Sequence, residues 1–178
     1  MASVAKRQHD VNKQVPPPRT PAGDAYTEFV VEVASFGAFI TAAGEVLARV
    51  GGQTLARWVI LDAIEDGPAT VAQIARRRGI ARQAVQRVAD LLVADGLAAY
   101  EANPRHRRAK LLRPTQRGQE VLRVISEAQR PWADALGAEI GEARLRRTRA
   151  LVAEIQRAVL ARGVPGRPPG RQPRPGTR

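Results

Sequence analysis

The sequence predicts a mainly α-helical fold with one small β-hairpin set between the fourth and fifth of six helices. Three observations predict it. Between residues 24 and 161, apolar residues recur at three- and four-residue steps, the spacing that gathers side chains on one face of a helix. Stop and start signals punctuate that pattern at Gly51-Gly52, Gly67-Pro68, Gly79, Gly96 and Pro114-Thr115. Finally, the stretch from Leu97 to Arg113 trades the helical period for two short apolar runs around a Pro-containing basic tip, which is a hairpin pattern.

The first helix covers 24–50. Its residues Tyr26, Phe29, Val33, Phe36, Ile40, Ala43, Leu47 and Val50 trace an a/d seam, and a seam of this length calls for a partner helix, here expected from a second copy of the chain. Thr54 caps a second helix, 55–66, with Leu55, Trp58, Val59, Leu61 and Ile64 as its apolar positions. Thr70 with Gln73 forms a capping box for a helix over 71–78, stopped by Gly79. A fourth helix runs from about Ala81 to Asp95. LAAYE and AKLLR then flank the tip ANPRHRR as two strands. Thr115 caps a helix over 116–136, Gly137 and Gly141 loosen the chain, and a last helix spans about 142–161. Only Gly79-Ile80 and their flanks separate the third and fourth helices, a turn of helix-turn-helix size. The order therefore describes a winged helix-turn-helix over 54–114, with dimerisation helices at 24–50 and 116–161.

The length of 178 residues suits one such domain, 24–161, with two tails. Residues 1–23 contain VPPPRTPAG, and 162–178 hold five Arg, five Pro, four Gly and no acid. Neither tail can bury enough apolar surface to offset its ordering entropy, so both are expected to be disordered and basic. The absence of cysteine excludes disulfides, thiolate zinc sites and thiol nucleophiles. His9 and His106 have no clustered partners, so neither a metal nor a cofactor is expected. No nucleophile–base pair, phosphate-cradling loop or paired-carboxylate motif stands out, and the chain reads as a binder rather than an enzyme. No uninterrupted apolar run approaches the roughly 18 residues of a membrane span and no secretory segment is visible at the N-terminus, so no membrane partner is expected and the location is expected to be cytoplasmic and nucleoid-associated.

Lys and Arg number 29 against 17 Asp and Glu, a formal net charge of +12. Its distribution matters more than its size. Residues 76–117 carry +8, the tails +3 and +5, and the remaining helices −4. A basic lobe on a mildly acidic helical body fits double-stranded DNA as partner. On the fourth helix, steps of about 100° put Ala84, Val85, Val88, Ala89 and Leu92 on the core side. Gln83, Gln86, Arg87 and Asp90 then face outward, with Arg82 at the N-terminal edge. Arg and Gln reach guanine and adenine edges in the major groove, and helix N-termini donate N–H groups to phosphates. Thr70, heading the preceding helix, is grouped with these residues. The hairpin tip adds Arg105, Arg107, Arg108 and Lys110, which suit the negative potential of a narrow minor groove.

From Leu55 to Gly118 the sequence resembles the MarR family of bacterial transcriptional regulators. The matching elements are the ARWVIL helix, T-x-x-x-I-A, RQAVQRVADLL followed by DGL, the NP-x-x-RRAKLL wing, and T-x-x-G opening the fifth helix. The resemblance implies a homodimer on a pseudo-palindromic operator, usually a repressor, released by a small aromatic ligand. A ligand pocket of the family type implies Phe36, Phe39, Arg57 and Trp58 as candidates. The chain departs from the family pattern at four points. His106 precedes the wing arginines where an orienting Asp is common, Tyr100 replaces a frequent Arg, Ala81 replaces an N-capping Ser, and Pro114 stands where Leu is usual. Two other readings share the composition: an architectural, low-specificity DNA binder driven by its basic tails, and a ligand- or protein-binding module that has lost DNA recognition.

Overall fold

The computed structural model describes residues 18–106 and 108–163. The expected tails, apart from their inner ends, and the wing residue Arg107 lie outside the described residues. Six helices and one hairpin follow in the order α1 (Pro21–Val50), α2 (Leu55–Asp62), α3 (Val71–Arg78), α4 (Arg82–Ala94), β1 (Ala98–Glu101), β2 (Leu111–Pro114), α5 (Gln116–Ile140) and α6 (Glu142–Arg162). The chain divides into two compact units after Gly44, within α1.

In the first unit, α1 starts earlier than the sequence suggested. Thr20 accepts the Gly23 N–H at 3.1 Å, and Pro21 occupies the first helical position, where its missing N–H costs nothing. Residues 21–23 are therefore helix, not tail. Tyr26, Val33 and Phe36 of the seam are exposed on this helix, as is Ile40. The exclusion of a membrane-spanning length is also corrected. By length and composition α1 is apolar enough to cross a bilayer, because isolated charges such as Glu32 interrupt the apolar run without bringing its average down.

The second unit holds the core. Ile60, Leu61, Ile64, Ile74, Val85, Leu92, Leu112 and Leu122 are buried together, joined by Ala69, Ala89 and Ala98. Burying an aliphatic side chain of this size contributes roughly 1.5–3 kcal/mol, so this cluster is what holds α2, α3, α4, the hairpin and the start of α5 as one body. Helix α2 ends at Asp62 rather than 66. Beyond it Ile64 N–H bonds Leu61 O at 3.1 Å and Glu65 N–H bonds Asp62 O at 3.2 Å, a tighter turn that tucks Ile64 into the core. The capping box at Thr70 and Gln73 forms as expected. Gly79 closes α3 at φ +65°, a left-handed conformation that favours glycine.

Strands β1 and β2 pair antiparallel, with Ala98 opposite Pro114 and Tyr100 opposite Leu112. Alternation puts Ala98, Tyr100, Leu112 and Pro114 on the core side. Ala69 adds two further backbone bonds to Leu112, at 3.1 and 2.9 Å, so the segment before α3 extends the hairpin. Helix α5 passes through Gly137 and Pro131 and breaks only at Gly141, φ +93°. A single interior glycine costs about 1 kcal/mol, too little to stop a helix of this length. Helix α6 buries no residue in the single chain.

The T-x-x-G signature opening α5 has a specific physical cause. Thr115 Oγ1 accepts the Gly118 N–H at 3.1 Å and donates to Gly96 O at 2.7 Å, while its own N–H bonds Leu97 O at 3.0 Å. A Cβ on Gly118 would lie 2.0 Å from the Leu97 carbonyl oxygen. Gly118→Ala must therefore push α5 off the start of the wing. Its expected cost is about 3 kcal/mol, the upper end for overpacking, read as a lower urea midpoint at unchanged slope.

Candidate nucleic-acid interface

Helix α4 presents the face that its sequence periodicity dictates. Val85, Ala89 and Leu92 are buried, and Arg82, Gln83, Gln86, Arg87 and Asp90 are exposed. Ala81 supplies no side-chain cap, so the first-turn N–H groups of α4 are not engaged by an N-cap side chain. Arg82 and Arg87 pair with no carboxylate among the described residues. Thr70 is committed locally, because its hydroxyl and N–H both bond within the capping box.

At the hairpin, Arg105, Arg108 and Lys110 are exposed; Arg107 lies outside the described residues. The tip is shaped by Asn103, whose Oδ1 accepts the Arg105 N–H at 3.0 Å and whose carbonyl accepts the His106 N–H at 3.1 Å, an Asx-type turn. Arg113 is spent differently, since it pairs with Glu101 at 3.1 Å across the strands. Sequence reading did not single out Arg76 and Arg77, which are exposed on the last turn of α3. Their neighbour Arg78 is engaged by Asp62.

The connection between α4 and the wing was also missed. Tyr100 projects from the core side of β1, its ring packed against the core and its hydroxyl at the margin. That hydroxyl donates to Asp90 Oδ1 at 2.8 Å. Gln86 Nε2 donates to Asp90 Oδ1 and to the Tyr100 oxygen, each at 2.8 Å. The signals were present in the sequence, in the four-residue spacing of Gln86 and Asp90 and the inward parity of Tyr100. What joins them is the hairpin's fold-back. Burial, reinforced by the Asp90 carboxylate, pushes the Tyr100 phenol up from 10.0 to about 12.

Of the four ligand candidates, Phe36 and Phe39 lie in the first unit and Arg57 and Trp58 in the second. Arg57 lines a cleft of about 620 Å³ with Arg49, Gln53, Asp95 and Arg117, and Trp58 does not contribute to it. Arg57 pairs with Asp95 at 2.5 Å, and its Nε is buried without a partner. Trp58 packs against the core. Phe36 and Phe39 are exposed on α1 in the first unit.

This layout of helices, turn and basic wing can be compared with known proteins. A model of the MarR family matches residues 52–109, from the end of α1 to the wing. The chain belongs to the MarR family. It is 40% identical over 126 residues to uncharacterised proteins of Mycobacterium bovis and Mycobacterium tuberculosis, covering 71% of this chain and 88% of theirs. Among solved structures, a MarR family transcription regulator superposes with a TM-score of 0.68 at 22% identity, over 79% of this chain and 95% of that one. Staphylococcus aureus MarR, solved with salicylate and kanamycin, gives 0.65 at 20% identity over 78% and 95%. Mycobacterium tuberculosis MosR in complex with DNA gives 0.60 at 22% identity over 72% and 96%. At these identities the structural likeness is one of fold. In this MarR-family chain the Tyr100 phenol is the side chain that ties the wing strand to α4.

A spectroscopic titration checks the anchor. Absorbance of the phenolate should place Tyr100 ionisation near pH 12, and Asp90→Ala should bring it back toward 10.0. Because the folded value is raised, the stabilisation from this contact is complete below pH 10 and is lost as pH rises toward 12. Tyr100→Phe should accordingly be less stable than the parent at neutral pH, with the gap closing across that alkaline window.

Proposed function

We propose that this MarR-family protein is a transcription regulator that binds a pseudo-palindromic operator as a homodimer, represses from it, and is released by a small aromatic ligand. One observation carries the DNA-binding part: the exposed Arg82, Gln83 and Arg87 of α4 and the exposed Arg105, Arg108 and Lys110 of the wing belong to one packed unit, with a net charge of +8 over residues 76–117. Recognition helices read base edges while basic wings follow phosphates or the minor groove. Arg107 extends this set by sequence. The solved DNA complex of MosR supports the same use of the fold.

The dimer reading rests on apolar side chains that the single chain leaves open. On α5, Trp132, Leu136 and Ile140 are exposed, and on α6 so are Leu145, Leu151, Val152, Val159 and Leu160. A run of this extent on a monomer marks an association surface, and the α1 seam adds to it. Two copies related by a two-fold axis would match half-sites about 34 Å apart. The effector reading is supported by the salicylate bound to Staphylococcus aureus MarR and by the cleft in which Arg49 and Arg117 stand beside the Arg57–Asp95 pair, leaving an excess of cations for an aromatic carboxylate. A regulator of this kind works in the cytoplasm on the nucleoid and needs neither metal nor catalysis.

Two measurements test the proposal. Light scattering at micromolar protein should give twice the 19.3 kDa chain mass; a clean monomer would sink the dimer. Against an operator recovered from random DNA, the parent should bind ~10³-fold tighter than bulk DNA at physiological salt. Arg87→Glu combined with Arg108→Glu should weaken that binding roughly 100-fold or more, given about 1–3 kcal/mol at each contact. Unchanged affinity would refute the groove assignments, and loss of all binding on tail removal would favour the architectural reading.

A further inference from the structure

The side chain of Gln86 sits on the outward face of α4, but its amide is not free. Glutamine ordinarily reads bases in either sense, because rotation of the terminal amide exchanges a donor for an acceptor. Here that exchange is blocked by chemistry. The Asp90 carboxylate can only accept, so the group facing it must be the Gln86 NH₂. Tyr100 closes the ring by accepting from Gln86 and donating to Asp90. Its phenol, held up to about 12 by burial and by Asp90, keeps the proton it donates throughout the physiological range. No described residue donates to Gln86 Oε1, which is thus left as the unspent atom of the amide on an exposed face.

We infer that Asp90 and Tyr100 are positioning residues that hold Gln86 as an acceptor-only reader, selecting a base whose major-groove edge offers an amino group, adenine N6 or cytosine N4. Guanine O6 and N7 and thymine O4 are acceptors at that edge and face the Gln86 oxygen unfavourably. The usual paired contact of glutamine with adenine requires the NH₂ to reach N7, and that group is engaged by the protein. The inference rests on the DNA-binding reading and deepens it, since it assigns a residue of the wing strand a part in base choice by α4. The ring also joins α4 to β1 by side chains alone, so the reader's orientation depends on the wing being folded back.

Selection of binding sites from random duplex DNA by the full chain tests the assignment. Gln86→Ala identifies the base pair concerned as the position whose preference it erases. In the site the parent selects, replacing the adenine or cytosine of that base pair by an analogue that lacks its exocyclic amino group should weaken parent binding ~10-fold, the scale of one base contact. Tyr100→Phe, which keeps the ring in the core, and Asp90→Ala, at an exposed site, should each admit guanine or thymine there, reducing discrimination by ~10-fold, the scale of one base contact. Preferences at all other positions should stay unchanged. A general loss of structure would blur every position equally, so the single-position change is diagnostic of positioning. If removing that amino group leaves parent binding unchanged, or the two variants reproduce the parent profile, the inference is overturned while the regulator reading stands. If the parent selects no site at all, the regulator reading fails and carries this inference with it.

Discussion

The close approach of α5 to the chain at Gly96-Leu97 is the constraint on which the rest of the second unit depends. Three hydrogen bonds of Thr115 converge there, two of them to consecutive carbonyls at the end of α4. Gly118 offers a bare backbone so that the helix can settle against Leu97 O. This contact sets the angle at which α5 leaves the hairpin. It also fixes where the strand pair begins, and hence which strand residues face the core. Leu112, Ala98 and Tyr100 take inward positions as a consequence, and Leu112 in turn receives Ala69 from the segment before α3. A helix cap, a glycine and a strand register thus act as a single joint.

From that joint the outward face of α4 follows with little freedom. Helix α4 is pinned on its apolar side by Val85, Ala89 and Leu92, and its opposite side is turned outward by the same packing. The wing adds a second tie through Tyr100. Because the tie is made of hydrogen bonds at the margin of the core, it orients one polar side chain while contributing modestly to stability, on the order of 1 kcal/mol for each net bond. Other polar groups of the lobe are similarly assigned. Arg78 and Arg113 are held by acids, whereas Arg82, Arg87 and Arg105 have no such partner among the described residues. This division separates cations that hold the lobe together from cations available to a polyanion, a distinction that a net charge conceals.

The helices outside this lobe behave differently. Helix α6 buries nothing in the single chain, and α1 carries exposed aromatic and branched residues. Apolar exposure on this scale is costly in water, and its length on α1 even meets the composition of a bilayer span. A seam of helical period presents one preferred face, of the kind a packed partner helix would cover, whereas a membrane span has no need of one.

Much of this was legible in one dimension. Caps at Thr54, Thr70 and Thr115 and the glycine stop at Gly79 use bonds that close within a few residues, so local chemistry was enough to place them. The inward and outward faces of α4 follow from a fixed helical period. Element ends were less secure, as at Asp62 and Gly137, because propensity differences of up to about 1 kcal/mol yield readily to packing. The sequence by itself determined the helix order, the hairpin, the basic lobe and the outward set on α4, all consequences of near-neighbour spacing. Only the tertiary structure decided that Gln86 is held by Asp90 and Tyr100, that Arg57 is spent on Asp95, and that Gly118 must lack a side chain. Those outcomes depend on which distant segments the core brings within 3 Å of one another, and no periodicity along the chain encodes that distance.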